Sequence, residues 1–223
     1  MAKRGMKKKF QLIIASNNGH KISEIKKIFS ALDIDIFGWT DYFLSDLTVD
    51  ENGLTFEENA RKKLENYPSI PSQYKKRYVQ LFLSDDSGLE VDTLDGRPGI
   101  HSARYAPEGT SVALCTKLLN ELKGASNRKA NFTAAIALKV PDKPIQIAIG
   151  QVFGKIAEDI FTDNGFGYDP VFIPQGYNQT FAQMSPSQKN KLSHRGNALE
   201  KLKGPLLQII TSDRKSTRLN SSH

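Results

Sequence analysis

Two adjacent carboxylates, Asp85 and Asp86, leave the apolar run Val79 to Leu83 and are followed at once by Ser87 and Gly88. Neighbouring acids at the end of a buried strand are costly unless they are solvated, hydrogen-bonded or paired with a cation. Strand alternation turns neighbours to opposite faces, so one can ligate a metal while the other braces the loop. Oxygen ligands of this kind suit magnesium, which keeps several waters and takes one or two carboxylates from a protein. An ordinary acidic turn would carry the same letters. Glu51, in Asp50-Glu51-Asn52-Gly53, is a candidate second ligand or a turn acid ahead of a helix.

Three further segments carry groups for an anionic, flat ligand. Ser16-Asn17-Asn18-Gly19-His20-Lys21 joins a short apolar run to a helical pattern. Small polar residues there can aim backbone N–H groups at phosphate, with the Lys21 charge beside them. A plain helix cap is the alternative, and the spacing is not that of a Walker A loop. Gly165-Phe166-Gly167-Tyr168-Asp169-Pro170 sets two aromatics among glycines. Phe166 can stack on a purine and Asp169 can accept from ring N–H groups, or the segment is a tight turn with a core aromatic. Lys189, Ser193, His194 and Arg195 offer donors to carbonyl or phosphate oxygens, arginine bidentately, or form a solvated basic helix end.

The elements that must position these groups follow from periodicity. Phe10 to Ala15 has strand length and β-branched content, and Ile22, Ile25, Phe29 and Leu32 follow at helical spacing. Thr55 to Glu58 has a capping-box pattern opening a helix that ends before Pro68, and residues 69 to 78 read as a polar surface loop. A helix is expected from Ser111 to Leu122, stopping at Gly124. Strands near Phe132 to Val140 and Ile145 to Phe153 form a hairpin about Pro141-Asp142, and Val171 to Ile173 is a short strand. Ser185-Pro186 and Ser193 can each start a helix. Interleaved strands and helices around a hairpin predict an α/β fold with a mixed sheet.

Of the 223 residues, none forms an apolar stretch long enough to cross a bilayer, and Cys115 is the single cysteine. A disulfide framework and a cysteine metal site are excluded, Cys115 is expected as a buried structural thiol, and a cytoplasmic protein is expected. The net charge of +7 comes from the ends: Lys3, Arg4, Lys7, Lys8 and Lys9, then Arg214, Lys215 and Arg218. Residues 1–9 therefore read as a solvated basic tail rather than a nucleic-acid footprint. Residues 213–223, DRKSTRLNSSH, read like a translated sequencing adapter and are set aside, leaving 10–212 as one domain.

In this order, ASNNGHK, LTFEENA, DDSGLEVDTLDGRPGIHSARYA, GFGYDPVF and SHRGNAL resemble the ITP/XTP pyrophosphatase, or Ham1-like, family, from Gln11 to Leu202. The resemblance implies an elongated mixed β-sheet flanked by helices, two lobes with a central active-site cleft, and a homodimer. It implies Mg²⁺-dependent cleavage of deaminated purine nucleoside triphosphates (ITP, dITP, XTP) to the monophosphate and pyrophosphate, with Mn²⁺ able to substitute. Ser16, Asn17, Asn18, Gly19, His20 and Lys21 would bind the triphosphate. Glu51 and Asp86 would hold the metal, Asp86 would also be the base for the attacking water, and Ser87 would touch substrate. Phe166, Gly167, Tyr168, Asp169, Lys189, His194 and Arg195 would border the base. His101, Gln183 and the polar segment 68–78 depart from the family pattern, bearing on the dimer contact or cleft rim. No stable nucleic-acid or membrane partner is expected.

Overall fold

The computed structural model describes residues 9–43, 49–65, 78–162 and 164–219. Most of the expected polar loop after Pro68, like the basic tail up to Lys8, lies outside them. Six strands form one sheet in the order β2-β1-β3-β4-β5-β6. β1 (Lys9–Ala15) lies parallel to β2 (Asp35–Gly38) and to β3 (Tyr78–Val91). β4 (Lys129–Lys139), β5 (Gln146–Ile156) and β6 (Phe172–Pro174) add antiparallel pairs. The sheet is mixed, as the interleaved pattern predicted. Among the helices are α1 (Gly19–Ile28), the one-turn α2 (Trp39–Tyr42), α3 (Phe56–Glu65) and α4 (Ser111–Glu121). Behind them come α5 (Pro186–Leu192) and α6 (His194–Leu219), the latter continuing past Ser212.

Period-two alternation sorts the strands onto two faces. Leu12, Ile14, Leu81 and Leu83 pack with Ile25 of α1, with Phe29 at its C-terminal cap, and with Leu199, Leu202 and Leu206 of α6. Ile13, Ala15 and Phe82 turn the other way, against Trp39 and against Phe56, Ala60 and Leu64 of α3. A third cluster forms the second lobe, joining Leu89, Val91 and Phe132 to Leu114, Cys115 and Leu118 of α4 and to Phe172 and Phe181. The long strands β3 and β4 cross from one lobe into the other, so residues at their middle stand where the lobes meet.

One correction matters for function. The apolar run does not end in a turn at Ser84: β3 continues through Asp85, Asp86, Ser87 and Gly88 to Val91, paired to β4 throughout. A polar stretch reads as a loop, but here each polar side chain has a partner brought in from another element. β2 and α2, too short to show a period, were not anticipated.

Candidate active site

Alternation separates the two carboxylates. Asp85 faces α1 and α6, and Asp86 faces α3. Both are buried, at 1% and 6% exposure, so their different surroundings decide their chemistry.

On the first face, Arg195, in the first turn of α6, donates from Nε to Asp85 Oδ2 at 2.8 Å and from a terminal nitrogen to Ser87 Oγ at 3.0 Å. Lys21 also pairs with Asp85, and Ser87 donates its hydroxyl to Asp85 Oδ1 at 3.0 Å. Burial raises the Asp85 pKa, but Arg195 and Lys21 outweigh it and hold the carboxyl well below the usual range. The network continues through Glu24, which pairs with Arg195 and accepts from Lys189 Nζ at 2.7 Å. Lys189 reaches Asp169 Oδ2 at 2.6 Å, and that oxygen also accepts from Phe166 N–H at 3.0 Å. Lys21, Asp85, Arg195, Glu24, Lys189 and Asp169 thus form an alternating chain of cations and anions. Burial lifts Asp169 against the pull of Lys189. Glu24 is held low because Arg195 and Lys189 overcome its burial.

On the second face, Lys63 Nζ lies 2.9 Å from Asp86 Oδ1 and 3.3 Å from Glu51 Oε1, and donates to the Asp85 carbonyl at 3.0 Å. Burial raises the Asp86 pKa more than Lys63 lowers it, and Asp86 and Glu51 together keep Lys63 protonated against its own burial. Two carboxylates converging on one ammonium is a donor set that a hard divalent cation can take. Among the described residues no group of three or more metal-type side chains exists. The oxygen-only pair is of the kind magnesium takes from a protein, its remaining ligands coming from water and phosphate.

The loop before α1 is a side-chain-capped helix start, as the plain-cap alternative had it. Asn18 Oδ1 accepts from the N–H groups of His20 (3.0 Å) and Lys21 (3.1 Å), and Ser16 Oγ from Asn18 N–H (3.1 Å). Asn17 and Gly19 complete this loop and first turn. A cavity of about 360 Å³ joins Asn18, His20 and Lys21 to Ser87, to Phe166, Gly167, Tyr168 and Asp169, and to His194 and Arg195. Gly167, at φ +61°, makes the turn that brings Phe166 and Tyr168 to this cavity. His194 stacks on Phe132 at 4.7 Å and 10°, with its Nδ1 buried and without a partner. Burial, then the neighbouring Arg195 charge, drive its pKa well below the usual histidine value, so the ring is neutral. Lys189 instead lines an adjoining cavity with Glu24. Glu51 and Asp86 stand on the far face of β3. Ser16, Asn17 and Gly19 do not line the larger cavity.

Two site residues escaped the sequence reading. Glu24 follows Lys21 by one helical turn, which puts both on one face of α1. Lys63 sits in the stripe Phe56-Ala60-Lys63-Leu64, a charged residue at a buried spacing. Cys115 is buried as expected, its Sγ 3.4 Å from the Gly167 carbonyl and its pKa pushed up to about 12 by burial. Gln183 caps a short turn through its Oε1, accepting from Thr180 N–H at 2.9 Å. No helix among the described residues is long and apolar enough to cross a membrane.

Comparison with known proteins places this geometry in a lineage. A dITP/XTP pyrophosphatase of Clostridium perfringens is 45% identical over 208 residues, covering 91% of this chain and 99% of its own. The solved Staphylococcus aureus Ham1 protein superposes with TM-score 0.73 at 41% identity, covering 88% of this chain and 97% of that one. A Coxiella burnetii HAM1 structure gives 0.74 at 34% identity, covering 89% and 99%. The sequence profile of the Ham1 family matches residues 12–204, and the chain belongs to that family.

Proposed function

We propose that this protein hydrolyses deaminated purine nucleoside triphosphates, ITP, dITP and XTP, to the monophosphate and pyrophosphate, with Mg²⁺ bound and Mn²⁺ able to replace it. One observation carries the reading. Four separate segments, around residues 18–21, 87–88, 166–169 and 194–195, converge on a single cavity, and Asp86 precedes its lining residue Ser87 on the opposite face of β3. The relatives bearing the name dITP/XTP pyrophosphatase support the same substrate class.

The chain's own residues divide the work. The α1 start and Lys21 receive the polyphosphate, where the half-buried ammonium and the positive end of the helix stabilise negative charge. Asp86, lifted by burial, takes the proton of the attacking water, a contribution of roughly 10²–10⁴-fold. Glu51 and Asp86 would hold the cation, which when bound neutralises phosphate charge. Lys63 keeps both carboxylates together. Most of the acceleration comes from positioning and charge stabilisation, as in other phosphoryl transfers.

Base choice follows from polarity. His194 and Arg195 present donors where hypoxanthine and xanthine carry a 6-oxo acceptor, whereas the adenine 6-amino group would leave them unpaired. Such a mismatch discriminates by about 10⁴ in favourable sites. Guanine shares the 6-oxo group and is refused through its 2-amino group. The working form is a cytoplasmic homodimer without a stable nucleic-acid partner. Pyrophosphate release from ITP, GTP and ATP, with and without Mg²⁺, tests the reading: ITP turnover that needs the ion is expected, and equal rates on ATP would refute it.

A further inference from the structure

The larger cavity and its neighbour of about 330 Å³ share three walls, His20, Phe166 and Asp169. The partition between them is a ring stack: His20 lies on Phe166 with centroids 5.1 Å apart and planes 14° from parallel. A purine that stacks on this face of Phe166 therefore meets His20 first.

The other neighbours of that ring cannot yield easily. Lys189 Nζ stands 4.3 Å and the Arg195 guanidinium 5.8 Å from the Phe166 centroid. Each is pinned by two carboxylates, Lys189 by Glu24 and Asp169, Arg195 by Asp85 and Glu24. His20 is exposed, and among the described residues its imidazole makes only the ring contact. Its backbone is fixed in the first turn of α1 by the Asn18 side chain. The side chain can thus swing while the phosphate-facing loop keeps its shape.

We propose that His20 is the movable half of a base clamp: it lies on Phe166 in this structure and moves outward to stack on the far face of an inserted purine. The inference deepens the function proposed above and rests on it, by assigning the His20 ring to the base, whereas the sequence grouped the residue with the triphosphate loop. Two ring separations of about 3.5 Å require centroids roughly 7 Å apart, a side-chain displacement of only about 2 Å from the present stack. A planar partner on each face favours large, flat bases over small ones, so His20 acts on affinity and base size rather than on the chemical step.

The test compares His20→Ala and His20→Phe by steady-state kinetics on ITP and by calorimetric titration with IMP, which carries the base but no polyphosphate. His20→Ala should raise KM for ITP and the dissociation constant for IMP by about three- to tenfold, with the effect on kcat much smaller, and His20→Phe should restore most of both. Inhibition by inorganic tripolyphosphate should not shift. A lower KM in His20→Ala would show a mere plug and overturn the clamp. Unchanged IMP binding, failed rescue by Phe, or weakened tripolyphosphate inhibition would each overturn it too, the last two in favour of a phosphate contact. If the wild type binds IMP in this His20-dependent way but does not cleave ITP, the activity proposal falls and the clamp stands.

Discussion

Asp85 and Asp86 are consecutive in the chain and almost equally buried, yet their acidities move in opposite directions. Asp85 has a guanidinium and an ammonium directed at it, and a hydroxyl besides, so its charge is locked. Asp86 has one lysine, shared with Glu51, whose side chain is 39% exposed. Burial alone does not set the character of a carboxylate: the number of cations facing it does. One face of β3 carries an electrostatic brace at the edge of the cavity, and the other keeps a carboxylate with a single shared cation.

The sharpest way to break this comparison is to neutralise each acid in turn. Asp86→Asn should lower kcat by about 10²–10⁴-fold. Its melting midpoint should fall less than that of the Asp85 variant, because burial disfavours the ionised form it loses and Lys63 keeps Glu51 as a partner. Near-wild-type turnover would remove Asp86 from the chemistry.

Asp85→Asn should do the reverse, acting first on the fold. It leaves Arg195 and Lys21 without their common partner, and breaking a buried pair costs about 3–5 kcal/mol. The sign with pH is fixed by the depressed pKa. The stabilisation is complete above the ordinary value of 3.8 and drains away as pH falls from there toward the folded value. Urea midpoints of the wild type and the variant should therefore differ most at neutral pH and converge below about pH 4. A gap that stays constant with pH would mean that Asp85 is no ionic brace.

How much of this contrast was readable in advance follows from where the partners lie. Asn18, Thr55 and Ser185 act on groups within a few residues, and their caps were visible as letters. Capping Thr55 even needed a small revision, since Glu58 reaches back to Leu54 N–H at 2.7 Å rather than to Thr55. Arg195 meets Asp85 across 110 positions, and Lys63 meets Asp86 across 23. No local pattern encodes those distances. Polar residues from Ser84 to Ser87 therefore looked like a loop, although tertiary partners make them the middle of a strand. His194 and Arg195 were found only as a basic cluster, and their burial in a neutral ring stack and an ion-pair chain had no one-dimensional signal.

Smaller effects should separate the supports of the two faces. On the Asp85 side, α6 approaches β5 at Gly150, where an added Cβ would stand 2.1 Å from the His194 carbonyl and 2.4 Å from the Ala198 nitrogen. Both are backbone atoms and cannot rotate aside. Gly150→Ala should therefore push the start of α6 away and cost about 1–3 kcal/mol. It should also weaken ITP selectivity over ATP, because His194 and Arg195 move with that helix; an unshifted selectivity would uncouple the helix position from the base site.

On the Asp86 side the matching support is the N-terminus of α3, which carries Lys63. Thr55 Oγ1 accepts from Glu58 N–H at 3.1 Å, and Thr55→Ala removes that cap at a cost of about 1 kcal/mol. The loss is modest because Phe56, Ala60 and Leu64 still anchor α3 in the core. Fraying of the first turn should nonetheless loosen Glu51, which lies just ahead of it in the chain, while leaving Asp85 and its arginine untouched. The variant should need more Mg²⁺ for half-maximal activity, by a few-fold, with an unaltered acid limb in its urea midpoints. An altered acid limb and an unaltered Mg²⁺ requirement would show that the two faces of β3 are not independent, and that the brace on one side also sets the geometry on the other.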